Sequence, residues 1–81
     1  MIFAMLLRDN PGTADLRIKV RPEHRAYLAQ RSEHIAFAGP LTSEDGATTI
    51  GSLIVMDFPS QADAEKWLQD EPYTKAGLYV K

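Results

Sequence analysis

Two stretches of this chain are mostly apolar on both faces, and they set its architecture. The first runs from Ile2 to Leu7. A strand with one wet face alternates apolar and polar residues; this one does not. Ile2, Ala4 and Leu6 point one way, and Phe3, Met5 and Leu7 the other. The second, Thr48 to Phe58, has the faces Ile50/Ser52/Ile54/Met56/Phe58 and Gly51/Leu53/Val55/Asp57. Both sheet faces therefore need cover. Helices can cover one, and a second copy of so small a chain is the expected cover for the other.

Between these strands the pattern changes period. Arg8 to Gly12 holds turn formers, and Thr13 to Val20 reads as a linker carrying Arg17 and Lys19. Pro22 suits a first helical turn, and Glu23 complements the positive helix start. His24, Tyr27, Leu28 and Arg31 then share one face, which predicts a helix from Pro22 to about Ser32. Ile35 to Pro40 is a further strand, ended by Gly39-Pro40, and Ser43 to Gly46 is a turn. Ser60 with Asp63 three residues on makes a capping-box-like start to a second helix, whose buried stripe is Ala64, Trp67 and Leu68. Pro72 stops that helix, because proline has no N–H and disfavours α geometry in the residue before it. Tyr73 to Ala76 adds a short turn closed by Gly77. Leu78 to Lys81 reads as the start of a fourth strand, cut short enough to expect that the natural chain continues.

The order strand–helix–strand–strand–helix–strand is the split βαβ, ferredoxin-like plan: an α+β domain with an antiparallel sheet. An 81-residue chain is one domain, marginal alone because it buries only about 60% of its unfolded surface. With no cysteine, no disulfide, Cys-ligated zinc or thiol nucleophile supports it, so oligomerisation is the expected remedy. Absence of cysteine fits a reducing cytoplasm. The first apolar run is too short to span a bilayer, lacks a basic region before it, and reads as a strand, not a membrane or signal segment. A net charge of −2 with both signs scattered and no basic block argues against nucleic acid. Two histidines at neither HxH nor HExxH spacing argue against a metal site.

Candidate chemistry centres on His24. A histidine in a first helical turn is commonly a solvated surface residue, and its functional reading needs a partner carboxylate. Asp70 and Glu71 sit where the second helix ends, poorly placed by about 0.3–1 kcal/mol each, so compensation is expected. Either could hold His24 in one tautomer and make it a better base. Alternatively, the two acids form a solvated helix end. Asp9 and Arg17 are a second pair, either an exposed salt bridge or an arrangement in which Asp9 fixes the Arg17 fork and Arg17 holds an oxyanion. Ser52 interrupts an apolar face with a hydroxyl that could donate to that oxyanion, and Gly51 beside it would let a ligand approach the backbone. His34 reads as surface, and Tyr73 and Tyr79 as packing residues, with Tyr73 within reach of a pocket rim.

These residues, in this order and spacing, resemble the YCII-related (YciI-like) family over nearly the whole chain. The resemblance is carried by Asp9 after the first strand, Arg17, Arg21-Pro22-Glu23-His24, Ala38-Gly39-Pro40, Gly51-Ser52, Trp67, Glu71-Pro72-Tyr73 and Ala76-Gly77-Leu78-Tyr79. It implies a dimeric α/β barrel and a small enzyme without a cofactor, with a His–carboxylate dyad in a pocket. Dehydrochlorination of a chlorinated hydroxyquinol-type ring is one activity associated with the family. By resemblance His24 is the dyad histidine, Pro72 follows the dyad carboxylate, and Asp9, Arg17 and Ser52 are polar pocket positions. The family pattern has Asp before that proline, whereas this chain has Glu71. The longer side chain keeps the pair only if the helix end shifts or the rotamer folds back; Asp70 is the other candidate. Two functions follow: a lyase- or isomerase-like enzyme on a small cyclic or hydroxyaromatic substrate, or a non-catalytic module that binds a small anion in the same pocket.

Overall fold

The structure, a computed structural model, describes residues 1–80. Strand β1 (Ile2–Arg8) is followed by helix α1 (Ala14–Ala29), a single 3₁₀ turn (Ser32–His34) and strands β2 (Ile35–Thr42) and β3 (Thr49–Asp57). Helix α2 (Gln61–Gln69) and the one-turn helix α3 (Pro72–Lys75) complete the order. The three strands form an antiparallel sheet in the order β1-β3-β2. The fold is α+β and matches the ferredoxin-like plan.

Of the expected fourth strand, residues 78–80 make one antiparallel bridge, Asp9 to Tyr79, on the outer edge of β1. It is held by Asn10 N–H to the Leu78 carbonyl and Val80 N–H to the Arg8 carbonyl, both 2.7 Å. Lys81 lies outside the described residues. The Asn10 amide also donates to the carbonyls of Gly77 and Tyr79, so the two segments are stitched together beside Asp9.

Strand alternation sorts the side chains as the sequence requires. Phe3, Met5 and Leu7 turn inward with Ile54, Met56 and Phe58 and pack on Ala64 and Trp67 of α2. The Tyr27 hydroxyl donates to the Trp67 carbonyl at 2.8 Å, tying α1 to α2. A second cluster, Tyr73, Leu78 and Tyr79, packs against Leu7, Leu16 and Val20. The other sheet face stays open: Ile2, Leu6 and Phe37 are 65%, 74% and 56% exposed.

Two boundaries differ from expectation, and proline explains both. Helix α1 begins eight residues before Pro22 and runs through it, so the expected linker over 13–20 is mostly helix. Pro22 removes the N–H that would bond the Ile18 carbonyl, but both residues lie on the exposed side of α1, where water can take that carbonyl. Strand β2 likewise continues through Pro40 to Thr42. It is an edge strand, and an edge has no ladder partner to lose on one side. Gly51 also has a different reason from the one expected. A Cβ there would lie 2.2 Å from the Leu7 carbonyl oxygen, so it is the neighbouring strand, not a ligand, that demands glycine.

Candidate active site

Helix α1 carries one continuous face made of Arg17, Arg21, His24, Arg25 and Leu28, the spacing that brings residues three and four apart into line. This face forms one wall of a cavity of about 410 Å³. Opposite it are Ala38, Gly39 and Pro40 of β2, and Thr49, Ser52 and Ile54 of β3, with Tyr73 at one end. The volume lies in the range of small-molecule pockets.

His24 sits in the middle of α1, not in its first turn, so the field of a helix start does not act on it. Its Nδ1 hydrogen-bonds Oε1 of Glu71, whose side chain is fully buried, while the His24 side chain is 15% exposed. In the neutral imidazole a carboxylate partner takes the Nδ1–H, the arrangement that leaves Nε2 as the basic nitrogen. Asp70, the other candidate, is the exposed C-cap residue of α2 and makes no hydrogen bond to His24.

Glu71 is also not at an unfavourable helix end. It is the N-cap of α3, and its Oε2 accepts from the backbone N–H groups of Tyr73 at 3.1 Å and Thr74 at 3.3 Å. Pro72 at the first helical position makes this possible, because it breaks α2 and starts α3 in one step. The extra methylene of glutamate is thus accommodated by folding the side chain back over its own cap, which leaves Oε1 free to meet His24. The Tyr73 ring stacks on the imidazole at 3.9 Å between centroids and 15° between planes, fixing it from a second direction.

Asp9 and Arg17 are buried, not a surface pair. Arg17 Nε and Nη2 donate to the two oxygens of Asp9 at 2.8 and 2.9 Å, and Nη2 also reaches the Gly51 carbonyl and Ser52 Oγ. Burial opposes the guanidinium charge, but the Asp9 carboxylate outweighs it and leaves the Arg17 pKa above its ordinary value. The guanidinium carbon lies 4.8 Å from the Tyr73 ring centre. Ser52 Oγ is also 3.0 Å from the Tyr79 hydroxyl. Burial pushes the Tyr79 pKa up, so this phenol keeps its proton at neutral pH. If Tyr79 donates to Ser52, Ser52 accepts twice and its own proton is free to point into the cavity.

The structure therefore brings His24, Glu71, Arg17, Ser52 and Asp9 into one connected arrangement and leaves Asp70 outside it. Tyr73, Tyr79, Arg21 and Arg25 join it without having been picked out as site residues. The spacing 17/21/24/25/28 was present in the sequence, but a linker placed over 13–20 hides it. Among the described residues no group of three or more side chains is placed to hold a metal ion, and no helix is long and apolar enough to cross a membrane.

Comparison with known proteins gives the family and the fold. The family model described as a YCII-related domain matches residues 1–81. Protein YciI of Escherichia coli O6:H1 is 29% identical, over 98% of this chain and 88% of that protein. An uncharacterized protein of Haemophilus influenzae is 30% identical, over 99% of this chain and 89% of that protein. Among solved structures, 5-chloro-2-hydroxyhydroquinone dehydrochlorinase from Burkholderia phenoliruptrix AC1100, in complex with 2,5-dihydroxybenzoquinone, superposes with a TM-score of 0.90. It is 30% identical, and the match covers all of this chain and 87% of that one.

Proposed function

Because this chain belongs to the YCII-related family, we propose that it is an acid/base enzyme, lyase- or isomerase-like, acting on a small hydroxylated ring in the cavity beside His24. The observation that carries this reading is the buried His24–Glu71 pair at the cavity wall. His24 Nε2 takes a proton from a ring hydroxyl or an activated carbon. In an elimination, the electron pair that the proton leaves behind passes through the ring and expels a leaving anion, so HX is lost without oxidation or reduction. Glu71 orients the imidazole and stabilises the imidazolium that forms. Ser52 and the unengaged Nη1 group of Arg17, whose guanidinium is positioned by Asp9, face the charge developing on oxygen. The dehydrochlorinase neighbour, with a dihydroxybenzoquinone in its complex, supports the substrate class.

The test is a panel of hydroxylated and chlorinated hydroxylated rings, followed by absorbance and halide release. Turnover of at least one member is expected. Glu71→Gln should cut that turnover by about 100-fold, the scale of a misoriented catalytic group. The same variant should change the His24 tautomer populations seen in ¹⁵N NMR. Unchanged tautomers and unchanged turnover would remove Glu71 from the role.

One observation favours a second reading. Among the described residues no carboxylate lines the cavity, while three arginines do, which suits retention of a small organic anion without turnover. Under that reading no ring in the panel is turned over, and ligands bind the wild type and His24→Ala alike.

A second copy of the chain is our proposed cover for the open sheet face, giving a dimeric α/β barrel. Leu6 and Phe37 project from that face, where burial of such side chains is worth about 1.5–3 kcal/mol each. In sedimentation at micromolar concentration the wild type should run at twice the mass of one chain, and the double variant Leu6→Asp, Phe37→Asp as a monomer. A monomeric wild type would overturn the dimer.

A further inference from the structure

Arg21 and Arg25 are the two charged cavity-lining residues that the proton transfer leaves unused. They lie one turn apart on α1, between and beside Arg17 and His24. Like charges at this spacing repel on a helix surface, so their adjacency is unfavourable unless something anionic sits between them. Among the described residues no neighbour on the helix compensates them. The residues three and four positions from Arg21 are Arg17, Ile18, His24 and Arg25, and those from Arg25 are Arg21, Pro22, Leu28 and Ala29. Among the described residues no ion pair joins either arginine to a carboxylate; the pairs present are Arg17–Asp9, His24–Glu71 and the amino terminus with Asp57. Glu71 and Asp9, the two acids nearest the site, are already engaged and do not line the cavity.

We propose that Arg21 and Arg25 form a carboxylate-binding fork at the mouth of the cavity, so that the natural ligand is a small hydroxylated ring acid and not a neutral phenol. The inference rests on the cavity being the ligand site, as argued above, and adds the class of substituent that the ligand carries. Arginine's planar donor array matches a carboxylate in two parallel hydrogen bonds, which gives orientation as well as attraction. His24 is three positions from Arg21 and lines the cavity with both arginines, so a carboxylate held by the fork sits near the imidazole. A ring of ordinary size then places a hydroxyl toward His24 and Ser52 while its acid group faces the two arginines. Net charge on the whole chain is −2, so the positive potential is a local property of this cavity, not a general one.

The experiment compares two probes that differ by one carboxylate, 2,5-dihydroxybenzoate and hydroquinone, by calorimetry or NMR titration with the full chain. Wild type should bind the benzoate about tenfold more tightly or better, the scale of a charge-assisted hydrogen-bonded pair. Higher salt should erode that advantage. In the double variant Arg21→Gln, Arg25→Gln the affinity ratio should collapse to near one, with an unchanged circular dichroism spectrum expected because both side chains are exposed. Benzyl phosphate beside benzoate separates a carboxylate site from a phosphate site, and a clear preference for phosphate would overturn the carboxylate assignment. Equal binding of benzoate and hydroquinone by wild type, a ratio that survives the double substitution, or no binding of either probe would also overturn it. A carboxylate preference without turnover of any ring leaves the fork standing and removes the enzyme reading, so the two failures are distinguishable.

Discussion

His24→Ala is expected to lower turnover of any accepted hydroxylated ring by about 10²–10⁴-fold, the usual range for a positioned general base, while the chain still folds. The imidazole is held on three sides: by α1 through its own backbone, by Glu71 at Nδ1, and by the Tyr73 ring at 3.9 Å. That immobilisation is what a base needs, since a ring free to rotate presents Nε2 to the cavity only part of the time. Truncation removes the base and one of the three donors to Glu71. The two backbone N–H groups of α3 remain, so the buried carboxylate is not left unpartnered. His24→Gln is the companion variant, keeping an amide donor within reach of Glu71 but supplying no base. Both should show native circular dichroism with lost activity. Turnover within about threefold of wild type in both variants would remove His24 from the mechanism.

Asp9→Ala is expected to cost about 3–5 kcal/mol of folding free energy, because breaking a buried ion pair leaves the other charge uncompensated. Only 7% of the Asp9 side chain and 8% of Arg17 is exposed, and both carboxylate oxygens are engaged by the guanidinium. Arg17 cannot shed its proton to escape. Its Nη1 makes no hydrogen bond within the described residues and is not fully buried, so water can reach it, which places the expected loss at about 3 kcal/mol. For a chain of this length total stability is on the order of 4–12 kcal/mol, so the substitution removes a large fraction of it. The measurement is the urea midpoint at constant slope. Asp57→Ala serves as the contrast: its partner is the amino terminus, both groups are exposed, and the midpoint should not move. A loss below about 1 kcal/mol for Asp9→Ala would mean that the pair is solvated and not structural.

The two predictions also mark where local reading of the sequence fails. Pro22 reads as a helix start because its geometry suits a first turn, and that reading hides the arginine face and puts His24 in the wrong electrostatic setting. The glutamate before Pro72 reads as the end of one helix when it is the beginning of the next. Both errors have one source. A proline restricts its neighbours in the same way whether it starts, ends or sits within a helix, and only the surroundings of the missing N–H decide which.

What the chain determined by itself is everything that depends on periodicity and on local chemistry. The apolar runs 2–7 and 48–58, divided by the two-residue period of a strand, gave the two faces of each strand, and Ser60 with Asp63 gave the start of α2. The α+β order followed, because few arrangements bury such strands in so short a chain. What tertiary structure decided is which acid meets His24. Asp70 and Glu71 are neighbours in sequence and chemically alike, yet one faces water and the other is sealed beneath α1. His24 and Glu71 are 47 positions apart, and no local preference spans that distance. The pairing exists because packing of α3 against α1 fixes where a carboxylate can stand, and packing depends on shape in three dimensions.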